Sequence, residues 1–255
     1  MKLSIRNRLH MRHRLLRYRF KSERPSIEFL MHRDLSGATI LDIGANFGVY
    51  SYYMSKAAGP DGRLLAFEPQ PELGVHLDAV KETYHLNNLT IVKQGLSSSS
   101  RILKMRRSAP GSGGASFHYE SAKNLEELDV PVTTIDEYFS AKGNSPISFI
   151  KCDVEEHELE VFRGGEQTLL KYMPTLLFEC HDTEATGGEL FSYLTSLGYD
   201  GFFFFVTPAD HQSLLRNNKG KYLHYSKFGD YPYPRESVQH RNYIFMKKGQ
   251  NPMRG

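Results

Sequence analysis

Four acids stand at or beside the ends of four short apolar runs. Asp42 lies in Thr39-Ile40-Leu41-Asp42-Ile43, Glu68 follows Leu64-Leu65-Ala66-Phe67, Asp153 follows residues 147–152, and Glu179 ends residues 175–179. A carboxylate at a strand end can accept hydrogen bonds from an amine or hydroxyl, take up a proton, or ligate a metal ion. Two histidines stand near them: His157 four residues after Asp153, and His181 two after Glu179. A neutral imidazole is a competent base near pH 7.

Something must bring these groups to one place. After the first run comes Gly44-Ala45-Asn46-Phe47-Gly48, then a segment of helical character. A strand, a glycine turn and a helix build a nucleotide pocket at the carboxyl end of an open α/β sheet. Glycine permits the sharp turn and the close approach of a ligand. The following helix offers free N–H groups at its amino end. The turn lacks the close glycine pair of the dinucleotide fingerprint and the Lys-Ser/Thr of a phosphate loop. One glycine turn without a phosphate cradle, followed by Glu68 as a holder of ribose hydroxyls, suits S-adenosylmethionine. The alternative is that Gly44 and Gly48 only make a tight turn.

The rest of the chain alternates in the same way. Strands are predicted at 38–43, 64–67, 89–92, 147–152, 175–179, 202–206 and 242–246. Helices are predicted at 26–35, 49–56, 71–85, 135–141, 159–172 and 188–197, with Gly198 as a C-cap. Residues 98–134 break the pattern with a serine run, a glycine-rich piece and alternating stretches, which reads as a small β insertion. Strands alternating with helices imply a mostly parallel sheet with right-handed crossovers. The expected organisation is a basic arm over residues 1–25 and one domain over 26–255.

The chain has 255 residues, enough for one α/β domain with a sizeable core. Its longest apolar run, 202–206, is far too short to cross a bilayer. No signal peptide is visible, and Cys152 and Cys180 both fall in predicted core strands. Two cysteines make neither a disulfide framework nor a four-thiolate zinc site, so a cytoplasmic protein is expected. Charge is unevenly placed. Residues 1–24 hold nine Lys/Arg and one acid, a local +8; against +3 for the whole chain this leaves −5 for the remainder. On a helical wheel Ile5, Leu9, Leu16 and Phe20 share one face, with arginines around the rest. Such a segment suits an anionic membrane surface, nucleic acid, the chain's own acidic domain or a partner subunit; otherwise it is a solvated arm.

Three segments, taken in order, resemble the FkbM-type methyltransferases. They are Leu41-Asp42-Ile43-Gly44-Ala45-Asn46-Phe47-Gly48, Phe67-Glu68-Pro69, and Phe149-Ile150-Lys151-Cys152-Asp153-Val154-Glu155-Glu156-His157-Glu158-Leu159-Glu160-Val161. Leu96-Ser97 and Val132-Thr133-Thr134-Ile135-Asp136 fit the same pattern, which covers about residues 38–182. The resemblance implies a Rossmann-like, seven-stranded, mostly parallel sheet of the class I methyltransferase type. It also implies S-adenosylmethionine-dependent O-methylation, commonly of sugar or natural-product hydroxyls. The family usually has glycine where Glu156 stands, so a φ above zero there would strain this chain. The arginine-rich arm lies outside the family pattern.

Family position and fold geometry together assign the cofactor to Asp42, Gly44, Asn46, Gly48, Glu68, Gly95, Leu96 and Ser97. Gly44 and Asn46 face the methionine end, Glu68 takes the ribose, and residues 95–97 line the adenine. Asp153 is expected as base, acceptor anchor or metal ligand, and His157 as base or as a surface histidine. Asp153, Glu179, His181 and Asp182 could hold a divalent ion, but their spacing is not diagnostic and the adopted reading carries no metal. The aromatic, proline-rich segment Tyr231-Pro232-Tyr233-Pro234 is a candidate wall of the acceptor pocket or a plain surface loop. The leading function is O-methylation of a small molecule or glycan. One alternative is an RNA methyltransferase using the arm, though neither an Asn/Asp-Pro-Pro-Tyr/Phe nor a Pro-Cys motif is present. Another is a non-catalytic protein that docks on a membrane or partner.

Overall fold

The computed structural model describes residues 2–118, 125–141, 146–181, 183–205, 220–230 and 240–252. Asp182 and Tyr231-Pro232-Tyr233-Pro234 lie outside them. The chain opens with helix α1 (Ile5–Arg17), a π-helical turn (Tyr18–Ser22) and α2 (Arg24–Met31). The alternating part follows: β1 (Thr39–Ile43), α3 (Val49–Ala58), β2 (Arg63–Phe67), α4 (Pro71–Tyr84) and β3 (Leu89–Val92). An insertion contributes β4 (Gly95–Leu96), β5 (Arg101–Arg107) and β6 (Glu126–Thr133). The alternation resumes with α5 (Ile135–Ser140), β7 (Ile147–Cys152), α6 (Glu158–Arg163), α7 (Glu166–Tyr172), β8 (Thr175–His181), α8 (Glu189–Ser196) and β9 (Tyr199–Phe205). It closes with β10 (Lys221–His224) and β11 (His240–Lys247).

The main sheet has the order β10-β9-β11-β8-β7-β1-β2-β3 among the described residues. The β1–β2, β2–β3, β1–β7 and β7–β8 pairs are parallel. β11 is antiparallel to β8 and β9, and β10 antiparallel to β9. The sheet thus has eight strands rather than the expected seven. The added strand, β10, is a four-residue edge without an apolar run, paired only to β9. The insertion is confirmed as a separate three-stranded sheet, β4-β6-β5. The helix expected over 159–172 is broken at Gly164-Gly165, where a Cβ on Gly164 would collide with the Ser97 carbonyl oxygen.

Strand alternation sends side chains to both faces of the sheet, and each face carries a core. Leu41, Ile43, Ile150 and Cys152 join Phe178 and Phe191 on one side. Ile40 and Phe149 join Leu30, Met54 and Leu77 on the other. The second core also takes in Met11 and Leu15, so α1 lies on the sheet's helical layer. The Tyr53 hydroxyl donates to the Leu15 carbonyl (2.9 Å), and the Leu3 N–H donates to Thr83 Oγ1 (2.8 Å).

β1 and β7 are neighbours from which the strand order departs in opposite directions. In such sheets the crevice at the carboxyl ends of those strands is the ligand site. With Leu15 buried in the core, Leu15→Ala should lower unfolding free energy by about 2–3 kcal/mol in a urea titration; an unchanged midpoint would mean a detached arm.

Candidate active site

The glycine turn leaves β1 at Gly44, whose φ is +74°. A Cβ there would strike the Asp153 carbonyl oxygen, so only glycine lets β1 and β7 end side by side. The Asp153 N–H donates to the Ile43 carbonyl (3.0 Å), tying the two strand ends together. Gly48, at φ +77°, is the N-cap of α3.

Asp42 and Lys151 are register partners on β1 and β7, and both side chains are buried. Lys151 Nζ lies 3.9 Å from Asp42 Oδ1 and donates to Asp153 Oδ2 (3.1 Å) and to the Gly44 carbonyl (3.4 Å). Burial alone would lower the lysine pKa, but Asp153 and Asp42 outweigh it and hold the ammonium above its ordinary value. Asp42 accepts from the Ser51 hydroxyl (2.5 Å), and burial pushes its pKa up. Asp42 was expected at the pocket edge. It is instead fully enclosed beneath the turn, where it joins α3 to Lys151. Lys151, which has no role among the expected site residues, is the buried cation at the strand ends.

Beyond the turn lies a cavity walled by Gly44, Asn46, Glu68, Gly95 and Leu96, all expected there. Glu68 Oε2 accepts from the Asn46 N–H and Oε1 from the Gln70 N–H, each at 2.9 Å. Burial raises its pKa to about 6. Asn46 Oδ1 is buried and finds no hydrogen-bond partner among the described residues. The insertion roofs this cavity with Met105, Gly113, Ala115 and Phe117, leaving about 50 Å³. Gln70 Nε2 donates to the Ser112 carbonyl (3.0 Å), and Arg107 donates to Gln70 Oε1 (3.2 Å) and Glu72 (2.8 Å), fixing the roof to the start of α4.

A second cavity of about 390 Å³ opens on the other side of Asp153. Its lining includes Asp153, Glu155, Glu156, Glu158, Glu179 and His181. Asp153 and Glu155 line both cavities. Burial, then the charges of Asp153 and Glu23, raise the Glu179 pKa to about 8, and burial raises Glu158 to about 7. His181 Nε2 lies 2.7 Å from Glu156 Oε1. A third cavity, of about 320 Å³, lies at the turn between Arg14 and Tyr18 of the arm and Asn46, Lys151 and Asp153.

His157 does not join this chamber, correcting its assignment as the base or as a surface histidine. Its ring is buried, with Nε2 3.0 Å from Ser97 Oγ and Nδ1 2.8 Å from His118 Nε2. Burial, then His118, lowers its pKa to about 4, so it stays neutral. Ser97, expected against adenine, is buried as the partner of that ring and lines neither cavity. Gly48 likewise serves the helix start rather than the wall. For the metal reading, no group of three or more His, Cys, Asp or Glu side chains among the described residues could hold an ion.

The mostly parallel sheet with its helices is that of an α/β protein of the class I methyltransferase type. Residues 42–200 match the model of the methyltransferase FkbM domain, and the chain belongs to the FkbM methyltransferase family. Methyltransferase sdnD of Sordaria araneosa is 28% identical over 197 residues, covering 65% of this chain and 74% of that one. Methyltransferase 1 of Beauveria bassiana is 22% identical over 178 residues, covering 63% and 71%. A solved structure, methyltransferase FkbM from Methylobacillus flagellatus KT, matches with a TM-score of 0.50 at 15% identity. The match covers 84% of this chain and 45% of that one, and shows the fold.

The strain expected at Glu156 is present: its φ is +73°, and that of Glu155 is +51°. Left-handed backbone costs a side-chain-bearing residue about 1–2 kcal/mol relative to glycine. Glu156→Gly should therefore be more stable than Glu156→Ala by about 1 kcal/mol in thermal or urea unfolding; equal stabilities would show the turn to be unstrained.

Proposed function

We propose that this protein transfers the methyl group of S-adenosylmethionine to a hydroxyl of a small molecule or sugar. The observation that carries the reading is the pair of cavities meeting at Asp153 and Glu155. One has the groups for a nucleoside; the other is larger and acidic. The lining groups match the cofactor's chemistry, and at about 50 Å³ the slot takes an adenosine only when the roof is displaced. Glu68 has lone pairs left for ribose hydroxyls after accepting two N–H groups, and Asn46 Oδ1 is a buried acceptor in need of a donor such as the methionine ammonium. Gly95, Leu96 and Phe117 supply an apolar slot for the base. When bound, the sulfonium supplies an activated methyl for in-line displacement.

The chain's own residues then have two tasks. Asp153, held by Lys151, anchors the acceptor at the junction of the cavities. His181, oriented by Glu156, takes the acceptor's proton. Alignment of the acceptor oxygen supplies much of the acceleration. A phosphate-rich acceptor is disfavoured, because Glu155, Glu156, Glu158 and Glu179 face the same chamber.

Calorimetric titration with S-adenosylmethionine tests the cofactor assignment, and turnover on a panel of sugars and small hydroxyl compounds tests the acceptor side. Glu68→Gln should weaken cofactor affinity by about tenfold or more, a loss of ~1.4 kcal/mol. His181→Ala should retain the affinity and lose turnover. Undiminished affinity in Glu68→Gln, or no binding by folded wild type, would overturn the assignment.

A further inference from the structure

We propose that the outer face of α1 and the π-helical turn docks this protein on an anionic lipid bilayer. The helix is fixed by its inner side: Met11 and Leu15 are in the core, and Tyr18 packs against the same cluster. Its outer side carries Ile5, Leu9, Leu16 and Phe20, exposed by 82%, 59%, 56% and 54%. At 100° per residue the first three fall within a narrow stripe, and from Ile5 to Phe20 the stripe runs about 22 Å along the surface. Four large exposed apolar side chains along α1 and the turn that follows it mark an interaction surface.

The charges around the stripe say what covers it. Arg8 and Arg12 flank one edge, and Arg6 and Arg17 the other, all exposed. Residues 2–22 contain no acid. Glu23, the first one, is turned inward, where it accepts from the Tyr50 hydroxyl (3.0 Å) and the Asn242 amide (2.5 Å). An apolar stripe between cationic edges matches the boundary between acyl chains and anionic headgroups, where arginine stems lie along the apolar surface and their heads reach phosphate. A second copy of this face would bring like charge against like charge. A nucleic acid would use the arginines and leave the stripe bare. No helix among the described residues is long and apolar enough to cross a membrane, so α1 lies along the surface.

Co-sedimentation of the full chain with vesicles tests this. One set is phosphatidylcholine alone; the other contains about 30% phosphatidylglycerol, both at about 0.1 M salt. The wild type should pellet with the anionic vesicles and stay in solution with the neutral ones. Leu9→Glu/Leu16→Glu, at exposed positions that leave the melting temperature unchanged, should lower partitioning by about tenfold or more. Absence of wild-type binding to anionic vesicles would overturn the proposal. So would retained binding by the double variant, which would mean charge alone is recognised. A wild-type dimer that the double variant converts to monomer, without vesicle binding, would reassign the face to self-association.

Discussion

The Lys151 ammonium is buried between Asp42, Asp153 and the Gly44 carbonyl, 5.1 Å from the centre of the Tyr50 ring. A charge removed from water is costly unless it is paired and hydrogen-bonded. Here Asp42 and Asp153 supply the counter-charge, and Asp153 and the Gly44 carbonyl accept its hydrogen bonds. The arrangement exists because parallel pairing of β1 and β7 sets Asp42 opposite Lys151 on the same face. Each partner then has a job in the site. Asp42 reaches Ser51 on α3, the Gly44 contact holds the turn, and Asp153 is drawn to the junction of the two cavities.

Acidity follows from this centre outward. One lysine faces a group of carboxylates that includes Asp42, Asp153, Glu155, Glu179 and Glu23, and burial and mutual repulsion leave several of them with raised pKa values. A chamber of this kind holds protons near neutral pH and is ill suited to phosphate. The roofed cavity differs. Glu68 is surrounded by backbone N–H groups and roofed by the apolar residues of the insertion. The two cavities thus differ in their electrostatics.

Much of this was legible in the sequence because it is local. The turn at 44–48, Glu68 after its apolar run, and Asp153 at the end of 147–152 all depend on neighbours in the chain. The strained Glu156 was legible through comparison with the family glycine. What failed was long-range. Asp42 reads as a ligand-facing acid until its partner, remote in sequence, is known. A lysine inside the apolar run Ile147-Ser148-Phe149-Ile150-Lys151-Cys152 was the available signal, since a buried cation demands a counter-charge. His157 reads as a turn histidine because nothing nearby shows that Phe117 and His118 of the insertion fold over it. The edge strand Lys221–His224 has too little apolar pattern to be seen. In the arm, periodicity found the outward stripe, while the inward pair Met11 and Leu15 became evident only against α3.

The most direct test removes the central cation while keeping its volume. Lys151→Met should be studied by urea unfolding and by calorimetric titration with S-adenosylmethionine. Leaving Asp42 and Asp153 without their partner should lower stability by about 3 kcal/mol and weaken cofactor affinity as the turn loosens. Wild-type stability together with wild-type affinity would contradict the account, because the turn, the strand ends and the junction between the cavities would then be held by something else.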